Sequence, residues 1–198
     1  MRTLLLVFVI GAAAFPQAGN YRITDAREVV SERYGYAFRL PDRWYISASN
    51  PTPYFFTFSP ELLGTFNYGV PAGSADMAVV KDSHEVGSID RWMDLDRVAH
   101  HNFSSTRNLP LPPHTRITRA VQAVWFEDDG DANHKIITRT TAVYFELRKQ
   151  VFAIFLRYNA NDPNGGKYET TLKGVLESFR PLDGPGGTRR DPGTLPFS

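Results

Sequence analysis

Apolar and polar positions alternate with a period of two along much of the chain and take a helical period at two places. Tyr36-Ala37-Phe38-Arg39-Leu40 alternates, and Pro41-Asp42-Arg43 turns it into Trp44-Tyr45-Ile46-Ser47. Tyr54 to Phe58 is dense in aromatics and Ala75 to Val80 is a short apolar run, so each reads as a strand. Arg116 to Phe126 forms another, with Ile117, Val121, Ala123 and Trp125 on one side. Ile136 to Leu147 and Val151 to Tyr158 are β-branched and aromatic runs parted only by Arg148-Lys149-Gln150, which predicts a hairpin. Ser88 is placed to cap a helix over 88–103, where Ile89, Trp92, Ala99 and Phe103 recur on one face. A second helix over 167–179 carries Tyr168, Leu172, Val175, Leu176 and Phe179 as one continuous stripe. The pattern predicts an α+β fold, in which a mainly antiparallel sheet holds Phe38, Phe56, Val121, Val143 and Phe155 and both helices pack on it by their apolar stripes.

The two ends read differently from the middle. Residues 1–18 place Arg2 before the apolar run Leu4 to Ile10 and the small residues Gly11 to Ala14, the order of a secretory signal peptide. The run is too short for a permanent membrane span, which needs ~20 apolar residues. Cleavage after Ala14 and cleavage after Ala18 both fit. At the other end, 181–198 holds four prolines and four glycines and reads as a disordered tail. The expected folded unit is therefore 19–180, in a secreted or periplasmic protein.

Composition narrows the function classes. The 198 residues carry a formal net charge of +1, which argues against non-specific binding to nucleic acids or anionic membranes, since both need a concentrated basic surface. Without cysteine there is no disulfide frame, thiolate metal site or thiol nucleophile.

Candidate chemistry is sparse. Gly73-Ser74-Ala75 lacks the first half of a nucleophile elbow. Gly165-Gly166-Lys167 resembles the end of a phosphate loop, but Tyr168 stands where a magnesium-binding hydroxyl belongs. Asp96 and His100 are i, i+4 partners without a third metal ligand, and His100 and His101 point apart on a helix. Asp129, Asp131 and Asn133 open like a calcium loop. His134 then occupies the glycine position and Thr140 the bidentate glutamate position, and a strand-connecting turn accounts for the same residues. No catalytic residue, metal ligand or cofactor is assigned. The glycine-rich segment Pro60 to Ser74 sets Leu63, Phe66, Tyr68 and Val70 among turn formers, and these four are the candidate recognition patch.

The order of elements resembles the PsbP-like family, on Phe38, Leu40, Pro41 and Trp44 near the start and Glu177, Ser178 and Phe179 at the end. The resemblance covers nearly all of the domain and rests on core residue types, without a chemical signature. It implies an α/β/α sandwich around an antiparallel sheet. It also implies a binding or assembly role, since the family includes extrinsic photosystem II proteins, a Ran-binding import factor and exported bacterial proteins. The expectation is an exported, non-catalytic protein that binds a protein or small ligand. The competing expectation is an envelope hydrolase with a site assembled from scattered Ser, His and Asp residues.

Overall fold

The computed structural model describes residues 21–32, 34–46, 55–60, 69–82, 86–100, 103–111, 115–129 and 135–182. The long hairpin is the centre of the fold. Strands β9 (Ile137–Leu147) and β10 (Gln150–Asn159) pair without a break from Leu147↔Gln150 to Thr138↔Asn159. Both turn residues have positive φ, Arg148 at 51° and Lys149 at 62°, as a two-residue hairpin turn matched to strand twist requires. Neither is glycine or asparagine, so the turn is strained. Lys149→Gly is expected to raise stability by about 1 kcal/mol, measured by denaturant midpoint, because glycine enters that region without a Cβ penalty.

Strands β4 (Tyr45–Ile46), β5 (Phe55–Ser59) and β6 (Ala75–Lys81) extend the sheet on one side, and β8 (Ile117–Asp128) and β7 (Phe103–Asn108) on the other. Among the described residues this gives a seven-stranded antiparallel sheet in the order β4-β5-β6-β10-β9-β8-β7. A second sheet combines β1 (Arg22–Ile23), β2 (Glu28–Ser31), β3 (Tyr36–Arg39) and β11 (Arg180–Pro181). Phe38 thus belongs to this smaller sheet, where one sheet was expected. The side chain of Phe56 lies outside the described residues.

Side-chain alternation along the central strands builds two buried clusters on opposite faces. Val143, Phe145, Phe152, Ile154 and Leu156 join the small sheet and the stripe of helix α2 (Gly165–Ser178). Val121, Ala123, Trp125, Ala142, Tyr144 and Ala153 join Ile89 and Met93 of helix α1 (Ile89–Ala99). Ile117 falls in the first cluster, although period two places it with Val121. A register shift between Ile117 and Arg119 adds a residue and inverts the alternation.

Helix α1 is shorter than its pattern predicts. Ser88 caps it as expected, its hydroxyl accepting from the Arg91 N–H at 3.2 Å. It stops at Ala99, and Phe103 begins strand β7. Phe103 still packs into the α1-side cluster, stacked on Trp125 at 5.0 Å, but it arrives from the sheet. The serine and threonine residues that follow are poor helix formers, and pairing with β8 takes them instead.

The residues that carry the family resemblance meet in the first cluster. Phe38 and Phe179 stack at 5.0 Å, and the Arg39 N–H donates to the Ser178 hydroxyl at 2.9 Å. Trp44, after the turn closed by its N–H to the Pro41 carbonyl, lies edge-on to Phe58 at 5.7 Å. Glu177 is on the surface, paired with Lys173.

One boundary moves. Pro181 is buried in β11, and the Leu182 N–H donates to the Gly35 carbonyl at 2.9 Å, so the fold runs through Leu182 and not to 180. Residues 1–20 and 183–198, with the expected signal peptide and most of the expected tail, lie outside the described residues.

Candidate functional site

Of the expected recognition patch, Leu63, Phe66 and Tyr68 lie outside the described residues. Val70 is fully buried, which corrects its assignment to an exposed loop surface. Its N–H donates to the Thr138 hydroxyl at 3.3 Å. The preceding Gly69 (φ +82°) makes this seat possible, because a Cβ there would stand 2.7 Å from the Asp129 Cβ. Asp131 and Asn133 lie outside the described residues, and the described residues hold no group of three metal-ligating side chains.

The structure instead opens a cleft of about 400 Å³ on the α2 side of the sheet, near its β7 edge. Ser105, Arg107, Gln122, Val124, Arg139 and Glu169 line it. Alternation explains the sheet contribution. Ser105 and Arg107 stand opposite Val124 and Gln122, and Val124 in turn stands opposite Thr141, two residues from Arg139. Gln122 is buried between Ala120 and Val124 on one face of β8, and its amide oxygen accepts from Arg107 Nε at 2.6 Å.

Helix α2 supplies the remaining wall. Gly165 opens it directly over Tyr158, whose ring carbon would lie 2.7 Å from a Cβ at that position. This close approach sets the Tyr158 hydroxyl beneath Glu169. Three donors converge on Glu169 Oε1: Thr141 Oγ1 at 2.7 Å, Tyr158 OH at 3.0 Å and Arg139 Nε at 3.3 Å. Burial, with the Glu169 charge beside it, pushes the Tyr158 phenol above its ordinary range, so it stays a proton donor.

Both arginines are therefore held by Nε, Arg107 on Gln122 and Arg139 on Glu169. Arg139 also lies 5.7 Å over the Phe126 ring. Arg139 is engaged by Glu169 and by a further hydrogen bond with Tyr158, whereas the Arg107 terminal nitrogens hydrogen-bond no described residue, which leaves them a planar donor pair suited to a carboxylate. The lining carries two guanidiniums against one carboxylate.

The other polar constellation is on the opposite face. His100 Nδ1 meets Glu127 Oε1 at 2.7 Å, and its ring stacks on Trp125 at 4.9 Å. Asp96 turns to Tyr144, whose hydroxyl donates to it at 2.5 Å; burial raises the Asp96 carboxyl above its usual range, and this bond and His100 pull it back. The Ser104 hydroxyl donates to the Val124 carbonyl, so it is not aligned on the imidazole as a serine hydrolase requires. Gly165 and Gly166 form the first turn of α2, and Lys167 Nζ donates to Asn164 Oδ1 at 3.0 Å, which accounts for the phosphate-loop likeness.

Sequence reasoning missed the cleft. Arg107, Arg139 and Glu169 follow one another at intervals of about thirty residues and form no motif. The available signal was Gln122, a polar residue alternating with Ala120 and Val124 on a strand buried on both faces.

The chain has the layout of an antiparallel sheet with two helices, and comparison with known proteins adds likenesses to it. No protein-family model matches the sequence, and no curated protein matches it. Among solved structures the chain is similar to a Bacteroides thetaiotaomicron protein at 8% identity and a TM-score of 0.51, over 81% of this chain and 50% of that one. The chain thus spans half the length of that protein, and the likeness is one of fold alone. It is also similar to the cyanobacterial PsbP (CyanoP) of Synechocystis, at 10% identity, TM-score 0.46, and 87% and 99% coverage of the two chains. The Ran-binding protein Mog1p of Saccharomyces cerevisiae is similar at 9% identity, TM-score 0.44, and 75% and 91% coverage.

Proposed function

We propose that the chain is an exported, non-catalytic binding domain of the PsbP-like type, layered as an α/β/α sandwich with α1 and α2 on opposite faces of the sheet. The observation that carries the binding reading is the cleft, to whose lining Arg107 brings a guanidinium held by Nε on the neutral Gln122 amide and Arg139 one paired with Glu169. Arg107, a cation that no carboxylate among the described residues caps, suits capture of an anionic group from outside. The signal-like segment 1–18 supports export, and among the described residues no helix is long and apolar enough to cross a membrane. Leu63, Phe66 and Tyr68 remain a proposed second contact.

Affinity capture with the full chain, made in its own host and recovered from the envelope fraction, tests this reading. The expected product starts after Ala14 or Ala18 and retains a partner that Arg107→Gln with Arg139→Gln no longer holds. An intact Met1 on a cytoplasmic species would overturn export. Ester or peptide hydrolysis by the purified chain, lost on His100→Ala, would overturn the non-catalytic reading.

A further inference from the structure

We infer that the cleft takes an extended segment of a partner protein, added as an eighth strand along β7, with a single acidic side chain directed to Arg107. This rests on the binding reading above and names the class of partner and its mode of docking.

Strand β7 is the outer strand of its sheet, and no described residue pairs with its far side. Its register shows which backbone groups are open. The Leu109 N–H donates to the Ala120 carbonyl at 3.0 Å, and Asn108 stands opposite Val121, so Leu109 is in a hydrogen-bonded pair. In an antiparallel ladder such pairs alternate. Ser105 and Arg107 therefore bond inward to β8, while the N–H and C=O groups of Thr106 and Asn108 point outward. Side chains alternate with the same period, so Ser105 and Arg107, bonded inward, also present their side chains to the cleft. Ser104 to Asn108 are all exposed. The strand has no proline or lysine, two common means of blocking an edge.

An added strand would thus bond to Thr106 and Asn108 and send alternate side chains over the cleft. A residue opposite Arg107 would have its Cβ about 5 Å from that of Arg107. Charge sets its identity. Two guanidiniums against the Glu169 carboxylate leave the lining with one positive charge, which one carboxylate neutralises. Arg107 meets that carboxylate directly through its free fork, and Arg139, two strands further in, adds its field.

The experiment selects short random peptides displayed on phage against the purified chain, then measures synthetic copies by calorimetry. Selected peptides are expected to place one Asp or Glu among β-branched residues. Changing that residue to its amide, or making Arg107→Gln, should weaken binding about tenfold. Arg139→Gln should weaken it less, about threefold. Thr106→Pro removes an outward N–H without touching the ladder, so it should also cost about tenfold at an unchanged melting temperature. Thr106→Ala keeps that N–H and should bind like the parent. Peptides that bind equally well to the Thr106→Pro and Arg107→Gln variants would overturn the inference and leave the binding reading standing. The same holds if millimolar glutarate fills the cleft while Thr106→Pro has no effect, since that is a small-anion site. If no peptide is selected and no envelope partner is captured, both readings fail.

Discussion

Phe179→Ala is expected to cost about 3–5 kcal/mol, the range for truncating a fully buried aromatic side chain. Phe179 is 1% exposed and closes the ring cluster between the two sheets. It stacks on Phe38 at 5.0 Å and Tyr36 at 5.4 Å, and meets Phe145 edge-on at 4.9 Å. The contacts come from β3 of the small sheet and β9 of the large one, so neither can move alone to fill the space. A cavity therefore remains, and its cost adds to the lost transfer energy. In thermal unfolding this corresponds to a drop of about 10 °C for a chain of this size. Phe179→Leu, which keeps most of the volume, should lose less than half as much. A drop of only a degree or two for the alanine variant would mean that the small sheet does not pack on the large one as described.

Asp162→Ala comes next, at about 2–4 kcal/mol. Asp162 is 7% exposed and joins two distant segments with its carboxylate. Oδ2 accepts from the Gly73 N–H at 2.6 Å and from the Tyr168 hydroxyl at 3.4 Å, and Oδ1 accepts from the Asn164 N–H at 2.8 Å. The first contact pins the turn ahead of β6, and the last fixes the entry to α2. Removing the carboxylate leaves two backbone donors without their acceptor, and charge-assisted bonds of this kind are about twice as strong as neutral ones. Asp162→Asn keeps one acceptor and should recover about half of the loss. Because the α2 entry positions Gly165 over Tyr158, the alanine variant should also loosen the Glu169 wall and weaken peptide binding. Full stability in Asp162→Ala would show that water replaces the carboxylate at no cost.

Strong local periodicity made several elements legible. The β9–β10 hairpin and α2 followed from long runs whose apolar spacing admits only one period. The resemblance carried by Phe38, Trp44 and Phe179 was legible because large aromatic side chains at set intervals mark a core. Element ends were less so. Phe103 extended the helical spacing of α1 by coincidence, and β7 has no alternation to show, since an edge strand with five exposed residues buries neither face. Val29 and Val30 of β2 form too short a run to stand out.

What the sequence by itself determined is the long central strands, the two helices and their apolar faces, because these depend on residues close together in the chain. What only the tertiary structure decided is which faces meet and what lies open between them. Val70 passed from loop surface to core because Gly69 lets the chain approach Asp129 closely, a contact across about sixty residues. The cleft exists because strand pairing brings Arg107 beside Gln122, and helix packing lowers Glu169 onto Thr141, Tyr158 and Arg139. Each of these residues is an ordinary charge, amide or hydroxyl in the linear chain. Only their convergence, fixed by register and by the seat of α2, brings two guanidiniums and one carboxylate together in one cleft.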